Sequence, residues 1–541
     1  MHSAPRVRRR RPRAPLAAAL ACAAALTSLV TAPAGAAPRP ADGHAPVAAA
    51  AAAAAPTAAE RRVESRFRSL RELPGGLDAF VRAMPKGGEL HSHLSGAAST
   101  ELLADLAVRD GLCLRTSDMV TVEPPCGAGT RPATDMRTDP ALRERVIRAW
   151  SMEGFTPGAE SGHDHFFATF EKFGEVTWRH TGELLADVLD RAADQHQLYQ
   201  ELMTTPASGG AKALAAKVGW DADMPRMLAS LRADGALDDV VADARREADA
   251  GVAQFREVAR CDTARPRPAC SVPYRFIAQV SRGGAPERVF TQIALGMALA
   301  ERDPRYVGIN LVQPEDGEVA LRDYHLQMRM VGYLRTRFPR AHVSLHAGEL
   351  VPGLVKPEDL RFHVADAVRT ARTERVGHGV DIAGEDGSAA LLRLMARRHV
   401  AVETPLTSND QILQVRGQDH PFPLYRRYGV PVVLATDDQG VARITIGDEY
   451  ARAARTYGLG YRDLKDLARA SLAYAFLPGG DLWRAPGRYE TVPQCADSRP
   501  GARSPGARCA DFLAHSPKAA LEWRQESAFG RFETSVLHGG V

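Results

Sequence analysis

Two imidazoles one residue apart, His91 and His93 in GGELHSHLSG, face the same way on an extended strand because alternate side chains share a side. Such a pair can offer two nitrogens to one metal ion. The spacing alone is weak evidence: His163-Asp164-His165 repeats it, yet that triplet follows Ser161-Gly162 and precedes FFATFEKF, so it reads as the opening of a helix. Further along, AHVSLHAGE supplies His346 and, three residues later, Glu349. RVGHGV sets His378 between Gly377 and Gly379, where the backbone can pass close to a ligand; a tight turn with an incidental histidine is an equal alternative. VPVVLATDDQG ends in Asp437-Asp438, two adjacent carboxylates that are costly to bury unpaired, although an aspartate can also cap a helix. His91, His93, His346 and Asp437 together make a donor set suited to one Zn²⁺ per chain. Zinc brings the pKa of bound water towards neutrality, so a metal, a basic histidine and a proton-donating glutamate describe metal-assisted hydrolysis.

These residues need a scaffold that brings distant strand ends together. Short apolar runs alternate with segments of helical periodicity: GGELHSHL, YQELMTTP (199–206), SVPYRFIAQVSR, YVGINLVQPED, AHVSLHAGE, RVGHGV, HVAVETPLTSN and VPVVLATDDQG, separated by stretches such as PERVFTQIALGMALAER. About eight such β units imply parallel strands with right-handed crossovers, and a (β/α)8 TIM barrel with insertions, whose active sites lie at the C-terminal strand ends. A doubly wound open sheet is the alternative, but no glycine-rich phosphate loop follows the first strand. Residues 60–485 are assigned to the barrel, with a loop-like insertion at about 111–160, and 486–541 to a C-terminal extension.

The start of the chain has a different composition. Residues 1–36 hold six arginines and no acid, then an apolar stretch from Leu16 to Val30 and small residues around Ala34-Gly35-Ala36, which read as a secretory signal. A retained anchor or a lipid on Cys22 are the rivals, but Ala19-Leu20-Ala21 is a poor lipid-attachment context. Residues 37–59, nearly all Ala and Pro, read as a flexible linker. The whole-chain charge of +4 becomes −2 once the six leader arginines are set aside, so nothing points to a nucleic-acid surface. No other stretch is long and apolar enough to span a bilayer. A secreted, extracellular protein is expected. Six cysteines remain beyond the leader, in three close pairs: Cys113/Cys126, Cys261/Cys270 and Cys495/Cys509. Fifteen connectivities are possible and neighbour pairing is the simplest, favoured by an oxidising compartment, with surface thiols as the alternative.

In combination, MPKGGELHSHLSGA (84–97), SLHAGE (344–349), VGHGV (376–380), TSN (407–409) and ATDD (435–438) resemble the adenosine deaminase family of zinc aminohydrolases, in that family's order. DEYARAA (448–454) is similar to the helix after its last strand, and FFATFEKF to its aromatic segment beside the substrate, with an ordinary core stripe as the equal alternative. The resemblance implies that His91, His93, His346 and Asp437 hold zinc, that Glu349 protonates purine N1 and that His378 assists the attacking water. Asp438 would accept a hydrogen bond from the ring, and Gly96 would line the nucleoside site. Adenosine or 2′-deoxyadenosine would yield the inosine counterpart and ammonia. The extracellular context and cysteine pairs are similar to the secreted growth-factor branch of the family. Three positions depart from the pattern: Gln313 stands where the family has glycine, Gln439 where it has proline, and Pro405-Leu406 where Cys-Pro is common. Gln313 bears on substrate choice, because its side chain is larger. Another 6-aminopurine is the alternative substrate, and a non-catalytic adenosine-binding protein would have lost a ligand or the acid.

Overall fold

The computed structural model describes residues 56–485 and 487–540; the leader, Cys22 and the linker up to residue 55 lie outside the described residues. Eight parallel strands form one sheet in chain order: β1 Gly87–His93, β2 Gln197–Thr204, β3 Tyr274–Ser281, β4 Tyr306–Val312, β5 His342–Ala347, β6 Arg375–His378, β7 Ala401–Thr404 and β8 Val432–Leu434. All eight coincide with the apolar runs of the sequence. Nearly every strand residue is buried, as expected where helices cover the outer face of a parallel sheet. The helices Pro286–Arg302, Glu318–Arg335, Ser388–Arg398 and Phe422–Tyr428 are among those crossing between strands.

The ring closes at its mouth. Ser92 of β1 pairs in parallel with Asp437, three residues past β8, through His93 N–H to Asp437 O (3.3 Å) and Asp437 N–H to His91 O (3.1 Å). The buried Glu89 carboxylate adds a second tie, accepting from the Thr436 N–H (3.0 Å) and hydroxyl (2.9 Å) and from the His91 N–H (3.1 Å).

The insertion differs from expectation. Residues 111–160 are not simply loop: Cys113–Arg115 pairs antiparallel with both Thr121–Val122 and Thr130–Pro132, and the helix Pro140–Ala149 follows. Leu112, Leu114 and Trp150 are fully buried, so the segment has its own apolar face against the barrel and folds onto it. FFATFEKF lies in the helix Gly162–Lys172, capped by Ser161, with Phe166 in the core. His163 and His165 therefore sit in a first helical turn, as their surroundings suggested.

The N-terminal strand ends are sealed by the two ends of the described chain. Thr57 and Glu60 cap each other's backbone at the start of the helix Ala58–Arg71, so ordered structure begins before the end of the expected linker. That helix meets the C-terminal helix Pro517–Leu537 through Lys465, whose ammonium reaches Glu60 (2.9 Å) and Glu533 (2.7 Å) in a buried ion-pair network. Phe80 packs edge-on against Phe532 and Tyr461. The extension 486–541 thus shares the barrel's underside. All three disulfides join neighbouring cysteines, Cys113–Cys126, Cys261–Cys270 and Cys495–Cys509.

Burial would raise the Glu60 carboxyl, but Lys465 outweighs it and holds Glu60 down at about 2 against an ordinary 4.5. A carboxyl whose folded pKa is depressed gives its full stability above the unfolded value and loses it as pH falls through the folded one. Melting curves of wild type and Glu60→Gln should therefore differ most above pH 4.5 and converge towards pH 2. A gap independent of pH would mean that the ion pair contributes nothing.

The disulfides close loops of 13, 9 and 14 residues, each worth about 2–3 kcal/mol by restricting the unfolded chain. None includes a residue of the metal motifs. Reduction should lower the thermal midpoint at conditions that leave metal content unchanged. Peptide mapping of the non-reduced protein should recover the three neighbour links; cross-linked segments would contradict the connectivity.

Candidate metal centre and active site

His91, His93, His346 and Asp437 converge at the C-terminal mouth, each offering one ligand atom, all within 4.8 Å of one another. His346 Nε2 lies 3.1 Å from His91 Nε2 and 3.3 Å from His93 Nε2, and Asp437 Oδ1 lies 3.5 Å and 3.2 Å from the same two nitrogens. A tetrahedral ion held at about 2.0–2.1 Å places its ligand atoms roughly 3.3 Å apart, so the spacing fits a single four-coordinate cation. Buried imidazole nitrogens facing one another at this range need a positive charge between them, and Asp437 Oδ1 has no hydrogen-bond donor of its own.

Each donor is fixed from behind. His91 Nδ1 meets Glu403 of β7 (2.6 Å), and His346 Nδ1 meets Asn310 of β4 (2.9 Å), so both rings direct Nε2 to the centre. His93 Nδ1 meets the Gln279 amide of β3 (2.5 Å), whose other end meets the Thr205 hydroxyl (2.8 Å). The ligating tautomer of His93 carries its proton on Nδ1 and calls for the amide oxygen there, and the hydroxyl suits either amide orientation. Asp437 Oδ2 accepts from Ser408 (2.8 Å). Gly377 permits this packing: a Cβ there would stand 2.6 Å from the His91 ring. Glu403 is itself paired with Arg375, which also binds Glu201 and lies over Phe476, so a buried chain of charges runs from His91 to the underside of the barrel.

Glu349, His378 and Asp438 surround the same centre. The Glu349 and Gly348 N–H groups donate to Glu315 (2.9 and 3.0 Å), which bonds His363 (2.5 Å) and lies 3.6 Å from the buried Arg282. Burial tends to raise Glu315, yet His363 and Arg282 hold it ionised at about 2. Glu349, by contrast, is pushed well above the usual carboxylate range, first by burial and then by the negative charges of Asp437 and Glu315. A buried carboxyl shifted this way keeps its proton to higher pH, as a general acid must. A dication would offset part of the Asp437 contribution and leave the burial.

His378 is lowered to about 4 by burial, so its imidazole is neutral. Its Nε2 has no partner among the described residues, while Nδ1 meets Asn409 (2.8 Å), which meets His420 (2.9 Å), which accepts from the Phe422 N–H (3.0 Å). The backbone strain expected at functional sites is present: His378 and Asp437 both have left-handed φ, +66° and +59°.

Asp438 is raised well above the usual range by burial and then by Asp437, and its Oδ1 has no partner. Gly96 serves this carboxyl directly, since a Cβ at 96 would lie 1.8 Å from Asp438 Oδ1. Gln313 departs from expectation. It holds the left-handed φ of +81° that glycine would adopt without strain, and its side chain accepts from the Gly283 N–H (3.0 Å) on an exposed loop after β3. Gln439 begins the short helix Gln439–Ala442, a position that proline also suits.

A sequence model of the adenosine deaminase family matches residues 176–481. The chain belongs to the adenosine deaminase family. The match starts downstream of His91 and His93, and it is the closure of β1 onto Asp437 that adds them to the family's segment. The chain is 27% identical to the aminodeoxyfutalosine deaminase of Streptomyces coelicolor over 418 residues, 75% of this chain and 84% of that protein. It is 35% identical to the adenosine deaminase of Salmonella heidelberg over 148 residues, 27% of this chain and 41% of that enzyme. With the adenosine deaminase of Yersinia enterocolitica it shares 30% over 221 residues, 37% of this chain and 63% of that enzyme. The Arabidopsis ADAL complexed with GMP is similar in fold, with a TM-score of 0.50 at 21% identity, covering 74% of this chain and 94% of that one.

The residues behind the ligands escaped sequence reasoning: Glu403, Asn310, Gln279, Glu315 and His420, while Asn409 was seen only as the end of the TSN motif. For Glu403 a signal existed, a lone carboxylate inside the apolar run VAVET of a buried strand.

Purified protein should carry close to one equivalent of divalent metal by elemental analysis. His91→Ala and Asp437→Ala should each lose most of it. Full retention by both variants would place the ion elsewhere.

Proposed function

We propose that this member of the adenosine deaminase family is a secreted, zinc-dependent enzyme that converts adenosine or 2′-deoxyadenosine and water to the inosine counterpart and ammonia. One observation carries the reading: a three-histidine, one-aspartate donor set lies beside a buried protonated glutamate and a neutral histidine with an unpartnered nitrogen. The arrangement suits hydrolysis of an amidine carbon–nitrogen bond. Zinc at these donors supplies the positive charge that makes water nucleophilic near neutral pH. The protein's residues perform the rest. Glu349 gives its proton to ring N1, which makes C6 electrophilic, while the free nitrogen of His378 orients the incoming water. Asp438 hydrogen-bonds the ring edge and sets C6 against the nucleophile. One proton of the water passes by way of His378 to the amino group, the carbon–nitrogen bond breaks to release ammonia, and the remaining hydroxyl proton returns to Glu349 as the C6 carbonyl forms. The leader of residues 1–36 and the three disulfides support export.

A second reading, a modified 6-aminopurine nucleoside as the natural substrate, is favoured by the likeness to an aminodeoxyfutalosine deaminase over three quarters of the chain. Ammonia release from a panel of 6-aminopurines separates the two, and no turnover of any member would sink both. Glu349→Gln should keep its metal and lose about 10²–10⁴-fold in kcat, the usual worth of general acid catalysis. A variant within threefold of wild type would assign the protonation to another group.

A further inference from the structure

Of the reacting groups, Glu349 follows β5, His378 ends β6 and Asp438 lies after β8. The C-terminal ends of β1 to β3 frame something different, a cavity of about 870 Å³. This lies in the upper part of the range for small-molecule sites, ~300–1,000 Å³. Its inner wall begins where the metal site ends. Leu94 and Ser95 follow His93 directly, Thr204 and Thr205 end β2, and Gln279, the partner of His93, lines it from β3. The outer wall comes from the helices Thr181–Asp194 and Ala236–Val258, and Trp178 stands at the rim, 68% exposed.

The charges of this chamber restrict what it can hold. Its ionic residues are Arg179 and Glu247. Arg179 is bound to Glu123, has Glu175 at 3.6 Å and lies 4.8 Å over the Trp178 ring, while Glu247 accepts from the Ala207 N–H (2.7 Å). No lysine lines the chamber, and its arginine is already engaged by two carboxylates. A phosphate group needs Arg or Lys donors free to meet it, and here it would also meet Glu247. The remaining lining alternates hydroxyls and amides (Ser95, Ser208, Gln254) with apolar walls (Leu184, Met203, Phe276).

We propose that this chamber is a second subsite, adjoining the reacting centre across His93, for an uncharged and partly apolar substituent on the sugar of the nucleoside. It directs the enzyme to 5′-substituted neutral nucleosides and against nucleotides. The proposal rests on the deaminase reading above and narrows its substrate class. A purine whose amidine edge is held by Glu349 and Asp438 has its sugar directed towards the β1–β3 half of the mouth, where the chamber opens. The 5′ position then reaches Ser95 and the Thr204-Thr205 turn.

The test compares kcat/KM of the zinc-loaded protein for adenosine, 5′-methylthioadenosine and adenosine 5′-monophosphate. The thioether should match or exceed adenosine, and the monophosphate should fall at least 100-fold below the thioether. Gly209→Phe fills the chamber from its edge; a Cβ at Gly209 meets no atom within 4 Å, so the helix Ser208–Val218 can accept the change. In that variant the ratio of thioether to adenosine turnover should drop at least tenfold. A monophosphate used within threefold of the thioether, or a ratio unmoved by Gly209→Phe, would overturn the proposal. Turnover of none of the three would refute the deaminase reading instead. Calorimetric affinities of the same three compounds for wild type and variant would then decide the chamber on the same ratios.

Discussion

Barrel closure and metal binding converge on one residue. Asp437 offers Oδ1 to the centre while its backbone forms the ladder that joins the chain after β8 to β1, between the carbonyl of His91 and the N–H of His93. The strand pairing therefore fixes three of the four donors relative to one another before any ion is present. The fourth, His346, is set across the barrel by the β5–β6 register, where it pairs with Gly377, the residue whose missing side chain admits the His91 ring. A left-handed φ at Asp437 is the local cost of turning its side chain inward while its backbone still reaches β1.

The surrounding charges divide the carboxyls by task. Glu403 and Glu315 are buried but held down by Arg375, Arg282, His91 and His363. Glu349 and Asp438 are instead pushed up, by burial and by the neighbouring Asp437 carboxylate. The lowered pair positions and the raised pair can donate, although all four side chains are carboxyls. Environment alone makes the difference, and the low dielectric of the barrel interior amplifies it.

Much of this was legible in the sequence because parallel strands announce themselves as short apolar runs, and the residues that end those runs must face the mouth. The four ligands, Glu349, His378 and Asp438 all sit at such ends. The positioning residues were hidden for a related reason. Glu403, Asn310 and Gln279 lie within strands whose apolar neighbours mask them, and their significance depends on which strand lies alongside, a long-range fact. Gln313 stands out in the sequence by size alone, and size says nothing of direction; with a left-handed backbone its amide meets the Gly283 N–H. The segment 111–160 looked like loop because its strands are two or three residues long, too short to show a period.

The underside seal has a consequence for how the protein can be handled. The helix Ala58–Arg71 and the helix Pro517–Leu537 meet at Lys465, near the strand starts, while the mouth opens at the strand ends. Both described ends of the polypeptide leave the molecule on the side away from the chemistry. A tag, a surface tether or a fused domain joined directly to residue 56 or residue 540 would depart from the rear, and the enzyme could be immobilised with its entrance facing solution.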